Sequence, residues 1–423
     1  MKKAQEAAEK TNQATVNEQA QMNELGEYMS NMLNGIGGGS TTPEEPELPS
    51  DGSFSEEKGV NTPNLGEGMT PIKWDVTANG GAEDWVETTG DDEEWYDYSA
   101  KKWANATTSD GSMWVWIPRY AYSITSGYHS SSTGTIEVEF MKGTSNETTS
   151  GRTSFNNASG QGNWNIHPAF TYGSTASGIW VAKFEASSVE GNSDTKEGDD
   201  VTTKTLQVKP GVSSWRNINI SNIYDVCKKY NGGLNSHLMK NDEWGAAAYL
   251  SKSKYGKETE EVEINSNGSY YTGGGSGNAY VNNGGQSTTG NVYGVYDMSG
   301  GAMEYVAAYV NNGNSNLTTY GASLLNGDAK TKNVYDKASS DSYENNYNQN
   351  KGKYGDAVYE TSSSGSGKIS WYSDFSGFPG SDNPFFYRGG NCINGSSAGV
   401  FCFNNIYGVS FGDISFRPVL VTL

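Results

Sequence analysis

Only three cysteines and three histidines occur in 423 residues, too few for a disulfide framework, and neither Cys-x-x-Cys nor His-Glu-x-x-His is present. Basic residues are scarce beside acids, 29 Lys and Arg against 49 Asp and Glu, which gives a formal net charge of −20. That field repels phosphate at long range, so no nucleic-acid partner is expected and an anionic membrane surface is disfavoured. No apolar run approaches the roughly 20 residues needed to span a bilayer, and the first residues carry no signal-peptide core. Membrane attachment is therefore expected only through a leader or anchor outside this sequence. No phosphate-binding Gly-rich loop ending in Lys and no Gly-x-Ser-x-Gly occurs, and "GGGSGNAYVNNGGQ" (273–286) reads as a loop. Aliphatic residues are few as well. Present instead are 27 Tyr, 11 Trp and 54 Gly, the profile of a loop-rich β or α+β chain with a core of rings, or of an exposed recognition surface.

Four segments follow from the pattern. Residues 1–36 read as an N-terminal helix, with Met22, Leu25, Met29 and Met32 on one face and Asn34-Gly35 as its stop. It is either a solvated lead-in or an oligomerising stalk. Residues 37–70, rich in Gly, Ser, Thr, Pro and acids, read as a flexible acidic linker with few contacts to the body. Residues 71–111 read as a β-hairpin lead-in, two aromatic runs flanking a Ser-Ala-Lys-Lys turn. Residues 112–423 form the main domain. In it "SMWVWIPRYAYSI" (112–124) and "SGIWVAKFEAS" (177–187) are buried strands. Helices are expected near 221–231, with Ile223, Val226, Cys227 and Tyr230 on one face, and near 241–252, with Asn241 as N-cap.

The C-terminal stretch "RGGNCINGSSAGVFCFNNIYGVSFGDISFRPVL" (388–420) has neither helical nor strand period. Between Arg388 and Arg417 it contains no Lys, Glu, Gln, Met or Trp. Gly, Asn and Ser alternate there with isolated Cys, Ile, Phe, Tyr, Val and Asp. A loop rich in Gly, Ser and Asn would also tend to lack Lys, Glu and Met. Large apolar groups in such a loop, however, usually mark a contact surface. Cys392 beside Ile393, and Cys402 between two Phe, would be costly to leave exposed without a role.

The order of landmarks resembles the formylglycine-generating-enzyme (sulfatase-modifying-factor) superfamily. "SHLMKNDEWGAAAY", "GNVYGVYDMSGGAMEYVAAY", "YRGGN" and "SFRPVL" are similar to its signature segments, in the same order, and "MWVWIP" and "GIWVAKFEAS" sit where it has its opening strands. The resemblance covers roughly residues 112–423. It implies an α+β, loop-rich, C-type lectin-like fold. Within that superfamily the chain resembles the variable proteins of diversity-generating retroelements, which diversify positions near the C-terminus by randomising adenines, mostly in Asn codons of the AAY type. Such codons cannot yield Lys, Glu, Gln, Met or Trp, the five types missing here.

The resemblance implies a non-enzymatic, adhesin-type protein, on a cell or extracellular surface or in a phage tail, that binds a protein or glycan. Its ligand-binding positions would be Asn391, Cys392, Ile393, Asn394, Ser397, Cys402, Asn404, Asn405, Ile406, Tyr407, Val409, Ser410, Phe411 and Asp413, exposed on one face. Phe403, Phe416 and Arg417 would hold the frame. A calcium ion is the implied cofactor, with ligands at Asp297 and Glu304 and at the carbonyls of Gly300 and Ala302. The family's usual Asn, Trp and Trp are replaced there by Gly301, Met303 and Tyr305, and a helix cap beside a buried tyrosine is the competing reading. The superfamily's oxidase activity requires a cysteine pair. Cys392 and Cys402 lie in the corresponding stretch, but the surrounding pattern is absent and His129, His167 and His237 are scattered upstream.

Overall fold

Two continuous apolar runs organise the structure, a computed structural model that describes residues 51–78, 83–191, 201 and 203–423. Met113–Pro118 and Gly178–Ala182 are buried at every position, so neither face is left for a polar alternation. They pair antiparallel with Trp116 opposite Trp180, ring centroids 5.1 Å apart. They form the centre of a seven-stranded sheet in the order His237–Leu238, Pro418–Leu420, Gly178–Ala182, Met113–Pro118, Asn105–Thr108, Met69–Asp75 and Asp84–Glu87. The terminal strand therefore pairs with Gly178–Ala182, Leu420 opposite Trp180, and stands one strand away from Met113–Pro118. The other edge of Met113–Pro118 is occupied by Asn105–Thr108.

That neighbour corrects two expected boundaries. The 71–111 segment is no separate lead-in, since three of its strands extend the central sheet. Its Ser-Ala-Lys-Lys turn is a single 3-10 turn, capped by the Asp97 side chain and closed by Lys101 at φ 59°. The linker reading also fails over residues 51–70. Val60 and Asn61 are buried, and the Asn61 amide donates to Ser177 O at 2.8 Å. The reason lies in the tryptophans. A buried indole N–H needs an acceptor. Trp116 Nε1 takes Asn61 O at 3.3 Å, and Trp180 Nε1 takes Asn64 O at 2.7 Å. The expected helix of 1–36 and the linker residues 37–50 lie outside the described residues.

Both expected helices are found, at Ile220–Tyr230 and Asn241–Lys252. The first is capped by Asn219, whose side chain accepts from Asn222 N at 3.0 Å, and buries Cys227 as a core thiol. The second is buried on every side, and its Gly245 lies against the Gly355 backbone. Asn241 is not its cap. Lys240 occupies that position, and Glu243 turns back to accept from its N–H at 2.8 Å. Asn241 instead donates to Tyr335 Oη at 3.0 Å. Two further helices, Ser315–Asn326 and Tyr343–Gln349, occur in Asn- and Ser-rich stretches.

The second large sheet positions the C-terminal stretch. Its order is Asn333–Tyr335, Met303–Val310, Phe385–Gly389, Gly399–Ile406, Ser376–Gly377 and Ser366–Gly367. Ile414–Phe416 runs parallel to the first half of Met303–Val310, and Asn333–Tyr335 to the second half. A small sheet of Thr135–Phe140, Tyr120–Ser126 and Asn165–Ile166 lies apart. The chain is thus mixed α/β, mostly sheet with few helices, and rich in loops.

Candidate functional site

From Arg388 the chain leaves the core through Gly389 and Gly390, both at positive φ (82° and 69°), which permits the abrupt turn outward. Residues 391–398 form tight turns. The Asn391 side chain accepts from Ile393 N, and Asn394 returns the favour to Asn391 N at 2.8 Å. Gly399–Ile406 then runs back antiparallel to Phe385–Gly389, and residues 407–413 cross to the strand Ile414–Phe416. The segment doubles back on itself, and Asn391 Nδ2 reaches Asp413 Oδ2 at 3.1 Å, joining its two ends.

What holds this path is chiefly the main chain. Trp244 Nε1 donates to Val400 O at 2.8 Å, Arg388 Nε to Cys402 O at 2.9 Å, and Tyr305 Oη to Val409 O at 2.7 Å. The Arg216 guanidinium donates to Gly412 O. The Asp374 carboxylate oxygen Oδ2 accepts from Phe401 N at 2.9 Å. Backbone bonds from outside add to these: Cys392 N to Gly301 O, Phe375 N to Ser397 O, Ile220 N to Gly408 O, Asn217 N to Phe411 O and Met303 N to Asp413 O. The gripped atoms are the same whatever side chain occupies those positions.

The fourteen sequence-predicted positions divide by exposure. Ile393 is 80% exposed, more than any other large hydrophobic side chain among the described residues, and Tyr407 is 45% exposed. Asn394 is also exposed. Ser397, Asn404, Asn405, Val409, Ser410, Phe411 and Asp413 are half-buried. Asn404 Nδ2 donates to Tyr387 Oη at 2.6 Å, and Asn383 Nδ2 to Asn405 Oδ1 at 2.7 Å.

Asn391, Cys392, Cys402 and Ile406 are buried, which corrects their expected exposure. Asn391 is consumed by the turn and by Asp413. Ile406 is paired opposite Phe385, and Cys392 is held by its N–H on Gly301 O. Cys402 is sealed in the sheet between Phe401 and Phe403, and burial pushes its thiol well above the usual range. All three cysteines are free.

The four residues expected to bind calcium are all buried, and one of them, Glu304, pairs with Arg417. Glu304 is paired with Arg417 through both oxygens, Nη2–Oε1 at 2.6 Å and Nε–Oε2 at 3.1 Å. Arg417 also donates to Ala182 O at 2.7 Å and Tyr296 O at 2.9 Å. Asp297 accepts from Gly273 N at 2.8 Å and from Asn265 Nδ2 at 2.9 Å. Ala302 turns its N–H to Glu185 Oε1 at 2.8 Å, and Gly300 turns its N–H to Gly389 O. A cation wants convergent oxygens with free lone pairs. Here a guanidinium occupies one carboxylate and N–H donors the other. Among the described residues no group of three His, Cys, Asp or Glu stands at metal-holding spacing. In this arrangement the two carboxylates spend their oxygens on Arg417 and on N–H donors rather than leaving them free for a calcium ion. Burial raises both carboxyls, Glu304 to about 7, with Arg417 opposing the shift in each case.

Trp244, Asp374, Arg216 and Tyr387 were not among the sequence-predicted site residues. Trp244 sits in the quoted "EWGAAAY", so a signal existed. For Asp374 there was none.

The fold and this geometry define a sheet-rich α/β chain whose C-terminal segment is gripped by its backbone. Comparison with known proteins adds little. No family model matches the chain, and no curated protein does. Among solved structures, Treponema denticola variable protein 1 is similar at 15% identity over 59% of this chain and 86% of that one, with a TM-score of 0.26. A likeness at that level establishes neither fold nor function.

Proposed function

We propose that the chain is a non-enzymatic binding protein that displays a diversifiable C-terminal surface on a C-type lectin-like frame, of the kind used by diversity-generating retroelements. One observation carries this reading. The segment from Asn391 to Asp413 is fixed through its own amides and carbonyls by residues outside it, so the exposed side chains can change while the path stays. Rigid presentation lets affinity depend on the displayed groups rather than on loop ordering. The site then comprises Ile393, Asn394, Ser397, Asn404, Asn405, Tyr407, Val409, Ser410, Phe411 and Asp413. Its partner is a protein or glycan met at a cell, extracellular or virion surface.

The oxidase alternative has less support. Cys402 is buried, and its raised thiol is the opposite of the thiolate that oxidase chemistry requires.

Sequencing the locus across many isolates tests the proposal. A neighbouring reverse transcriptase is expected, together with a near-copy of the terminal coding segment. Differences should fall at adenines of that copy, at codons for the exposed and half-buried positions. Absence of the copy, or changes spread evenly over Phe403, Phe416 and Arg417, would sink it.

A further inference from the structure

Beneath the returning strand Gly399–Ile406 lies Asp374, with no exposed surface. Oδ2 accepts from Phe401 N at 2.9 Å, the Cys402 N–H also faces the carboxyl, and Oδ1 is buried with no hydrogen bond of good geometry among the described residues. The carboxyl stands immediately under Gly399, where any Cβ would overlap both of its oxygens. The titratable and charged groups that face it are the Glu261 carboxyl, the Arg388 guanidinium, the Cys402 thiol and the Tyr372 phenol. Among the described residues no cation lies within ion-pair distance of it. The Arg388 guanidinium is spent on Cys402 O, Asn241 Oδ1, Asp356 O and Ala357 O.

A carboxylate buried without a cation and with one oxygen unsatisfied is expensive as an anion. A neutral carboxyl in the same place costs far less, and its carbonyl oxygen can still accept the Phe401 amide.

We propose that Asp374 is a positioning residue of the display surface, a neutral acid that clamps the strand Gly399–Ile406 by the Phe401 amide in the space Gly399 leaves open. The purpose of the clamp rests on the binding-surface reading; its existence does not. Burial and the Glu261 charge both push the Asp374 carboxyl up, which agrees with the neutral form. Gly399 is thereby required by its neighbour, although its own φ lies outside the positive region.

Hydrogen exchange of the full chain, followed on the Phe401 and Cys402 amides at pH 6, tests this. Asp374→Asn keeps a neutral acceptor of the same shape and should leave exchange within about threefold of wild type. Asp374→Ala should raise exchange of these amides about tenfold or more, the scale of one lost buried hydrogen bond. Gly399→Ala leaves the carboxyl in the chain but displaces it, and should give the same local rise. It serves as the arbiter if Asp374→Ala does not fold. Unchanged exchange in both Asp374→Ala and Gly399→Ala would overturn the clamp. Exchange in Asp374→Asn as fast as in Asp374→Ala would overturn the neutral acid, since only a charged acceptor would then be lost. None of these readouts involves a ligand, so the clamp can fail while the locus evidence for a display surface stands, or the reverse.

Discussion

Replacing Arg388 by Met should unfold far more stability than rewriting the exposed surface. Arg388 is completely buried and makes four hydrogen bonds: to Cys402 O at 2.9 Å, Asn241 Oδ1 at 3.2 Å, Asp356 O at 3.0 Å and Ala357 O at 3.0 Å. Bonds from a charged donor contribute roughly 1.5–3 kcal/mol each, so their gross loss is on the order of 6–12 kcal/mol. Relief from burying a guanidinium, and the volume that Met retains, offset part of this. A net loss of about 3–5 kcal/mol is expected, the scale of breaking a buried charged network. The comparison is a triple variant, Ile393→Ser, Ser396→Thr and Tyr407→Ser, at three exposed positions of the segment. Surface changes fall within about ±0.5 kcal/mol each, so the set should shift stability by less than about 1.5 kcal/mol. Urea unfolding followed by tryptophan fluorescence measures both, with equal slopes confirming that the same surface is exposed. If the triple variant loses as much as Arg388→Met, or Arg388→Met loses less than about 1 kcal/mol, the frame-and-display division is wrong.

Three other outcomes are expected. Burial raises Glu360 to about 7, although Gly355 N, Tyr122 Oη and Tyr249 Oη donate to it. Its folded value lies above its unfolded one, so its contribution is fully present below about pH 4.5 and is lost as pH rises through about 7. The full difference is on the order of 3 kcal/mol, and thermal unfolding of Glu360→Gln across pH 5–8 should show a flatter profile than wild type. An equally steep profile would remove Glu360 as the cause. Chelation should leave the melting temperature unchanged, because Arg417 already holds both oxygens of Glu304; a fall that calcium restores would overturn that assignment. A thiol reagent should leave Cys227 and Cys402 unmodified in the native protein and reach both only in denaturant, and rapid native modification of Cys402 would revive the oxidase reading.

Much of the frame was legible in the residues. Continuous apolar runs such as Met113–Pro118 announce a strand covered on both faces, since no polar alternation survives there. The apolar face of Ile220–Tyr230 announces a helix. The missing residue types in 388–420 set that stretch apart from the rest of the chain. Composition misled where a polar segment is needed as a partner. Residues 51–70 look like a tether, yet their carbonyls accept the indole N–H groups of Trp116 and Trp180, a demand that arises only once those rings are buried together. The same holds at the display surface. Isolated Asn, Cys and Ile carry no sign of which is covered. Burial there depends on the strand Gly399–Ile406 lying beside Phe385–Gly389, which puts Ile406 opposite Phe385. Local chemistry chose the helices and buried strands, because short-range pattern determines them. Long-range contacts fixed the path of the display segment and made Glu304 the partner of Arg417, because Trp244 meets Val400, and Glu304 meets Arg417, only across more than a hundred residues of intervening chain.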